Sequence, residues 1–241
     1  MIELTNVTKI YGGTKTAVDH LNLTIDDGQI LAYIGPNGAG KSTTLKMMTG
    51  IISSTEGTIK INGYDIAKEP LEAKKQFGFV PDSPDMFLRL KGIEYLNFMA
   101  DIYEVPEEVR DERINKYAEK FEMTKALGDK ILSYSHGMRQ KIVLMGALIH
   151  NPSVWILDEP LTGLDPKSSY ALKEMMKEHA AAGNTVIFST HVLEVAEKLC
   201  DKVAIINHGT LVYNGTLEEL KETNEGSLEE IFLKLTGGIT E

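Results

Sequence analysis

Apolar positions along the chain recur with two periods, and the switch between them divides it. Near the start, "LNLTI" and "QILAYI" are apolar runs of strand length, and the "DDG" between them (Asp26 to Gly28) predicts a hairpin. "GTIKINGYDI" alternates Ile59 and Ile61 with polar residues, the pattern of a half-buried antiparallel strand. "KSTTLKMMTG" reads as a short helix stopped by Gly50. From about Phe87 to His150 the spacing becomes helical. "GIEYLNFMADIY" and "PEEVRDERINKYAEKF" are helices, with Pro106 suited to a first helical position. "GMRQKIVLMGALIH" sets Ile142, Met145 and Ile149 on one face. Beyond it come strand "VWILDEP", helix "PKSSYALKEMMKEHAAAG", strand "NTVIFSTH" and strand "KVAIINHG".

Strands alternating with helices indicate a parallel sheet with right-handed crossovers. The pattern predicts an α/β nucleotide-binding core with an antiparallel β layer in front and a helical lobe inserted mid-chain. Residues 1–86 carry the layer and the first part of the core, residues 87–150 the lobe, and residues 151–241 the rest of the core and a tail. "KETNEGS" near the end reads as a polar turn or short linker.

The stretch "YIGPNGAGKSTT" explains why a core of this kind is expected. Gly35, Gly38 and Gly40 let the backbone curl and present its N–H groups, with Pro36, Asn37 and Ala39 between them. Lys41 adds a point charge, and Ser42 and Thr43 add hydroxyls. This is the spacing G-x-x-x-x-G-K-S, set between a strand and a helix, which cradles phosphates. A helix N-terminus carries about +0.5 charge and free N–H groups, so phosphate is favoured there. Lys41 is expected to reach the β- and γ-phosphates, and Ser42 to hold Mg²⁺.

Composition alters this picture little. With 241 residues, 42% hydrophobic and 25% charged, the chain can bury a substantial core. The single cysteine, Cys200, excludes an internal disulfide and suits a reducing compartment. No apolar run approaches about 18 residues and no leader pattern opens the chain, so a protein that neither spans a membrane nor is secreted is expected. The net charge of −10 argues against nucleic acid as a partner. It does not argue against a polyphosphate. Screening over about 8 Å confines distant carboxylates, while loop amides and Lys41 act at contact.

Two further stretches gain meaning beside the glycine loop. Read alone, "VWILDEP" is a buried strand ending in two acids. Downstream of a phosphate loop, Asp158 can bind Mg²⁺ directly or through water, and Glu159 can take a proton from an attacking water. "LSYSHGMRQK" opens an amphipathic helix at Ser135, His136 and Gly137. Ser133 or Ser135 could simply cap it, yet a helix tip with free amides is itself a phosphate-binding device.

Together these residues resemble an ATP-binding cassette ATPase, the motor subunit of ABC transporters, with a P-loop NTPase (RecA-like) core. "GPNGAGKS" resembles its Walker A loop, "WILDEP" its Walker B strand with catalytic glutamate, and "YSHGMRQ" its signature, usually LSGGQ. "GLD" ending at Asp165 resembles the D-loop, "FSTH" the switch histidine His191, and Tyr11 falls where the family stacks an aromatic on adenine. The match runs in family order from about residue 2 to residue 215. In the signature, His136 and Met138 replace the usual glycine and glutamine, while Ser135 and Gly137 remain. Asp82, in "FGFVPDSP", stands where the family has a glutamine; it can still bind Mg²⁺ or water, with shorter reach and full charge. Asp165 before Pro166 is also a good helix cap.

The resemblance implies two cassettes meeting head to tail, each signature closing over its partner's nucleotide. MgATP phosphates carry about −4 against +2 from Mg²⁺, +1 from Lys41 and about +0.5 from each helix tip, so neutrality calls for the second tip. It also implies a separate integral membrane subunit, and a cytoplasmic chain held at the inner face of the membrane by it. "SPDMFLRLKGIEYL", with Phe87 and Leu88, is the candidate docking surface; equally, it could be lobe core. The "YSHGM" form and the tail "SLEEIFLKLTGG" resemble exporter cassettes. A soluble cassette ATPase not coupled to transport is the alternative, although those usually pair two cassettes in one chain or carry a long coiled-coil insertion. A GTPase is disfavoured because "NKYA" lacks the aspartate of a base-reading motif.

Overall fold

The computed structural model describes residues 1–224 and 226–237. Strands β1 (Ile2–Tyr11), β2 (Lys15–Ile25), β4 (Glu56–Ile61) and β5 (Tyr64–Asp65) form an antiparallel sheet in the order β2-β1-β4-β5. Strands β3 (Ile30–Ile34), β6 (Phe77–Val80), β7 (Val154–Leu157), β8 (Thr185–Thr190), β9 (Lys202–Asn207) and β10 (Thr210–Thr216) form the second. Its order is β10-β9-β3-β8-β7-β6, parallel except for β10 at the edge. The expected α/β architecture is therefore present.

The second sheet is covered on both faces, and β3 is buried along its whole length. Leu31 and Tyr33 face a core shared with the antiparallel sheet, whereas Ile30, Ala32 and Ile34 face the helices. β7 divides likewise, with Val154 and Ile156 on one side and Trp155 and Leu157 on the other. Continuous apolar runs such as these belong to central parallel strands.

The hairpin expected across Asp26 to Gly28 does not form. β2 stays with β1, while β3 enters the other sheet between β8 and β9. The turn is fixed by distant partners: Gly28 N–H donates to Asn184 O (3.1 Å), and Ile30 N–H donates to the Asp201 carboxylate (2.8 Å). Non-local pairing overrides the local turn signal.

Helices α1 (Lys41–Met48) and α2 (Pro70–Lys75) precede the helical stretch α3 (Gly92–Ile102), α4 (Glu107–Lys120) and α5 (His136–Leu148), which lies between β6 and β7 in the chain. Helices α6 (Pro166–Ala181), α7 (Leu193–Leu199), α8 (Leu217–Thr223) and α9 (Leu228–Thr236) follow. Gly50, at φ 68°, ends α1 as expected. Pro106 caps α4 from outside instead of filling its first position. α5 is not amphipathic near its end: Gln140 to Leu148 are all buried, because the helix runs between α3, α4 and the sheet. Phe87 is 44% exposed and stacks obliquely on Tyr95 and Phe98, whereas Leu88 is half-buried against the core.

The polar turn after α8 is shorter than expected, since α8 runs through Thr223. Ser227 then caps α9 and, with Glu230, closes a capping box. Glu225 of that turn and Gly238 of the tail lie outside the described residues.

Candidate nucleotide site

The loop from Gly35 to Gly40 joins β3 to α1 and is wedged between neighbouring strands. A Cβ on Gly35 would lie 2.3 Å from Ile206 O, and one on Gly40 would lie 2.6 Å from Ala17 O. Gly40 also sits at φ 112°, where only glycine is comfortable. No side chain caps α1 and no acid lies in its first turn, so its leading N–H groups lack an internal partner. They face a cavity of about 670 Å³ bounded by Asn37 and Gly38 of the loop and Ser42 and Thr43 of α1. Lys41 is 8% exposed, and its Nζ donates to Gly35 O (2.6 Å) and Pro36 O (3.1 Å). Burial holds its pKa below the usual lysine value, and the Glu159 and Asp158 carboxylates oppose that shift. An uncapped helix tip with a buried lysine fits a polyphosphate.

The cavity's other wall comes from the C-terminal ends of β6, β7 and β8. Asp158 is 1% exposed, beneath the surface, and accepts from the Ser189 hydroxyl at 2.6 Å. Ser189 Oγ in turn accepts the Glu159 N–H at 2.9 Å. Glu159 takes a left-handed backbone, φ 48°, a conformation costing about 1–3 kcal/mol that clusters at functional sites. The turn brings Glu159 to the cavity while Asp158 stays under it. His191 Nδ1 lies 2.9 Å from Glu159 Oε2, an ion pair when the imidazole is protonated. Asp82 follows β6 and also lines the cavity, as does Tyr11 at the end of β1. Among the described residues there is no cluster of three or more His, Cys, Asp or Glu side chains able to hold a metal. Mg²⁺ requires no such cluster, since it takes one or two protein ligands and completes its shell with phosphates and water. Of the expected donors, Ser42 and Asp82 line the cavity and Asp158 lies just beneath it.

The structure does not bring every expected residue to this cavity. Gly35, Pro36 and Ala39 lie behind its lining. Ser135, His136, Gly137, Met138 and Asp165 form a separate block. There Ser135 caps α5, its Oγ accepting the Met138 N–H at 3.3 Å. The His136 ring occupies the space a Cβ on Gly163 would need, 2.3 Å from the imidazole Cδ2. Lys141 Nζ, nearly buried, lies 2.8 Å from Asp165 Oδ2, and Asp165 also caps α6 through the N–H and hydroxyl of Ser168. The Lys141 contact, foremost, holds the Asp165 carboxyl well below the usual carboxylate range. Gln140 Nε2 donates to Pro160 O at 3.3 Å. The α5 tip is thus tied to the loop that follows Glu159.

Sequence reasoning missed Lys15, Thr16, Thr162 and His208, which line the cavity, and Ser189, which holds Asp158. Ser189 stands two residues before His191 in "FSTH", a signal within reach; the others carry no local motif.

The chain is similar to known proteins over most of its length. The family described as ABC transporter matches residues 18–162. The ABC-type transporter ATP-binding protein EcsA of Bacillus subtilis is 35% identical over 98% of this chain and 97% of its own. A solved ATP-binding subunit of an ABC transporter superposes with a TM-score of 0.93 at 32% identity, covering 98% of this chain and 99% of its own. The ATP-binding cassette MJ0796, solved as a post-hydrolysis dimer bound to ADP and Pi, superposes with a TM-score of 0.81 at 26% identity, covering 90% and 99%.

Proposed function

The chain belongs to the ABC transporter family and is an ATPase working with ATP and Mg²⁺, and from that premise we propose that it drives export through a separate membrane subunit. The observation that carries the reading is a division of labour. Lys41, Glu159 and His191 converge on one cavity, while the Ser135 tip of the same chain lies outside it. A site so built is completed by the tip of a second copy, or of a related cassette, and the dimeric MJ0796 structure supports that assembly.

Within each site, Lys41 and the α1 amides hold the phosphates, and Tyr11 takes the adenine. Ser42 and Asp158 hold Mg²⁺, with Asp82 within the same wall. Bound Mg²⁺ supplies positive charge against the phosphate oxygens. Glu159 takes the proton of the attacking water, and His191 holds that carboxylate in place. Ser189 keeps Asp158 oriented and fixes the strained turn at Glu159. His136, Gly137, Met138 and Asp165 present the tip to the partner's nucleotide. Residues 1–241 act as one cassette domain, its helical lobe sharing a continuous core with the sheet.

Among the described residues no helix is long and apolar enough to cross a membrane, so transport calls for a partner that does. Phe87, Phe98 and Leu132 are exposed apolar side chains on or beside the lobe and form the surface we assign to that subunit. Docking there would hold the chain at the cytoplasmic face. The "YSHGM" tip supports export over uptake. Copurification from membranes tests this: the native chain brings down an integral membrane protein, and Phe87→Asp loses it while binding ATP normally. Recovery with ribosomes or DNA, or with no membrane protein, favours the soluble alternative.

A further inference from the structure

The two-residue turn between β9 and β10 is His208–Gly209, with φ 47° and φ 82°. Positive φ at both central residues is the type I′ hairpin turn, which favours Asn, Asp or Gly at its first position. The β4–β5 turn of this chain obeys the rule with Asn62–Gly63, at φ 50° and φ 85°. The β9–β10 turn spends its first position on histidine instead. Histidine is among the residues that adopt left-handed φ, so the turn admits it and fixes where its imidazole starts.

The turn is also held in place. Gly209 N–H donates to Ala39 O of the phosphate loop, and Asp19 N–H donates to Gly209 O, both at 2.9 Å. A Cβ on Gly209 would lie 3.0 Å from Ala17 O. His208 therefore has a fixed base beside the loop, and it lines the nucleotide cavity with Tyr11 and Lys15.

Strand order says which end of the nucleotide it meets. β3, which carries the phosphate loop, lies between β9 on one side and β8, β7 and β6 on the other. Glu159, His191 and Asp82 follow β7, β8 and β6, so the terminal phosphate, where hydrolysis occurs, faces that side. The nucleoside must trail towards β9, where His208 and Tyr11 stand. We propose that His208 is a nucleotide-binding residue that hydrogen-bonds the nucleoside end of ATP, with its turn built to hold the imidazole there. An imidazole offers one donor and one acceptor and so suits ribose hydroxyls or the adenine edge.

The inference rests on the nucleotide reading of the cavity, and the test separates the two. His208→Asn restores the favoured turn residue, so its melting temperature should equal or exceed the parent's. Titrated by calorimetry, it should bind ATP about tenfold more weakly, the worth of one neutral hydrogen bond. Inorganic tripolyphosphate, which has no nucleoside, should bind parent and variant equally. ATP affinity equal to the parent's overturns the role of His208, as does an equal loss towards tripolyphosphate. Undiminished ATP binding by Lys41→Ala would instead sink the reading of the cavity.

Discussion

Replacing Glu159 by Gln changes one oxygen to an amide nitrogen and leaves the side chain's shape alone. The structure lets each consequence be estimated. The left-handed backbone at φ 48° and the N–H bond to Ser189 at 2.9 Å do not depend on the carboxylate. The amide oxygen can still accept from His191 Nδ1, now 2.9 Å from Oε2. Stability should therefore change by less than about 0.5 kcal/mol. Removing a general base costs roughly 10²- to 10⁴-fold in rate, or about 3–5 kcal/mol on the barrier. ATP binding should be kept or slightly strengthened, since a negative charge leaves the neighbourhood of the phosphates and Lys41. The assay is single-turnover phosphate release with Mg²⁺ and ATP, paired with gel filtration. We expect release to collapse and an ATP-bound dimer to accumulate. A rate within a few-fold of the parent's, or only monomer with ATP and Mg²⁺, would refute the role given to Glu159.

Two other perturbations test the block at the α5 tip. Gly163→Ala places a Cβ 2.3 Å from the His136 ring at φ 76° and should cost about 1–3 kcal/mol in urea unfolding. Adding His136→Ala should recover the steric part but not the backbone part, so strict additivity in the double variant would argue against the contact. Asp165→Asn should destabilise at neutral pH, because the Asp165 carboxyl is held below its ordinary value by Lys141 and Ser168. A depressed carboxylate contributes fully above its unfolded pKa of about 4 and loses that contribution progressively as pH falls from there through its lowered folded value. The gap between parent and variant should thus be fullest above about pH 5, begin to narrow below about pH 4 and close only as pH falls through the lowered folded value, as read from thermal melts across pH; no gap at neutral pH, or one that does not narrow between about pH 5 and about pH 2, would contradict the assignment.

Much of this site was legible because its motifs are local. The glycine loop, "WILDEP" and "FSTH" each sit at the end of one strand, and a parallel sheet gathers strand ends at one edge. What escaped was set by partners far away in the chain. "DDG" has the chemistry of a hairpin, but the fully apolar "ILAYI" belongs to a strand with neighbours on both sides, and that continuous run was the better signal. The packing of His136 on Gly163 and the Lys141–Asp165 pair depend on how α5 meets the loop after β7, which no spacing encodes. Capping boxes at Thr216–Glu219 and Ser227–Glu230 were readable and mark the starts of α8 and α9. Leu88 and Phe87 read as equivalent in sequence, yet one joins the core and the other faces solvent.

The central claim is that each working site is shared between two chains. Mixing two variants, each inactive alone, tests it most directly. Lys41→Ala spoils the phosphate loop, and Ser135→Arg spoils the α5 tip. In a mixed pair, both defects fall on one shared site and leave the other intact. An equimolar mixture should recover about a quarter of the parental ATPase rate, the share of intact sites under random pairing. No recovery on mixing, or a parental rate from Ser135→Arg alone, would contradict the account.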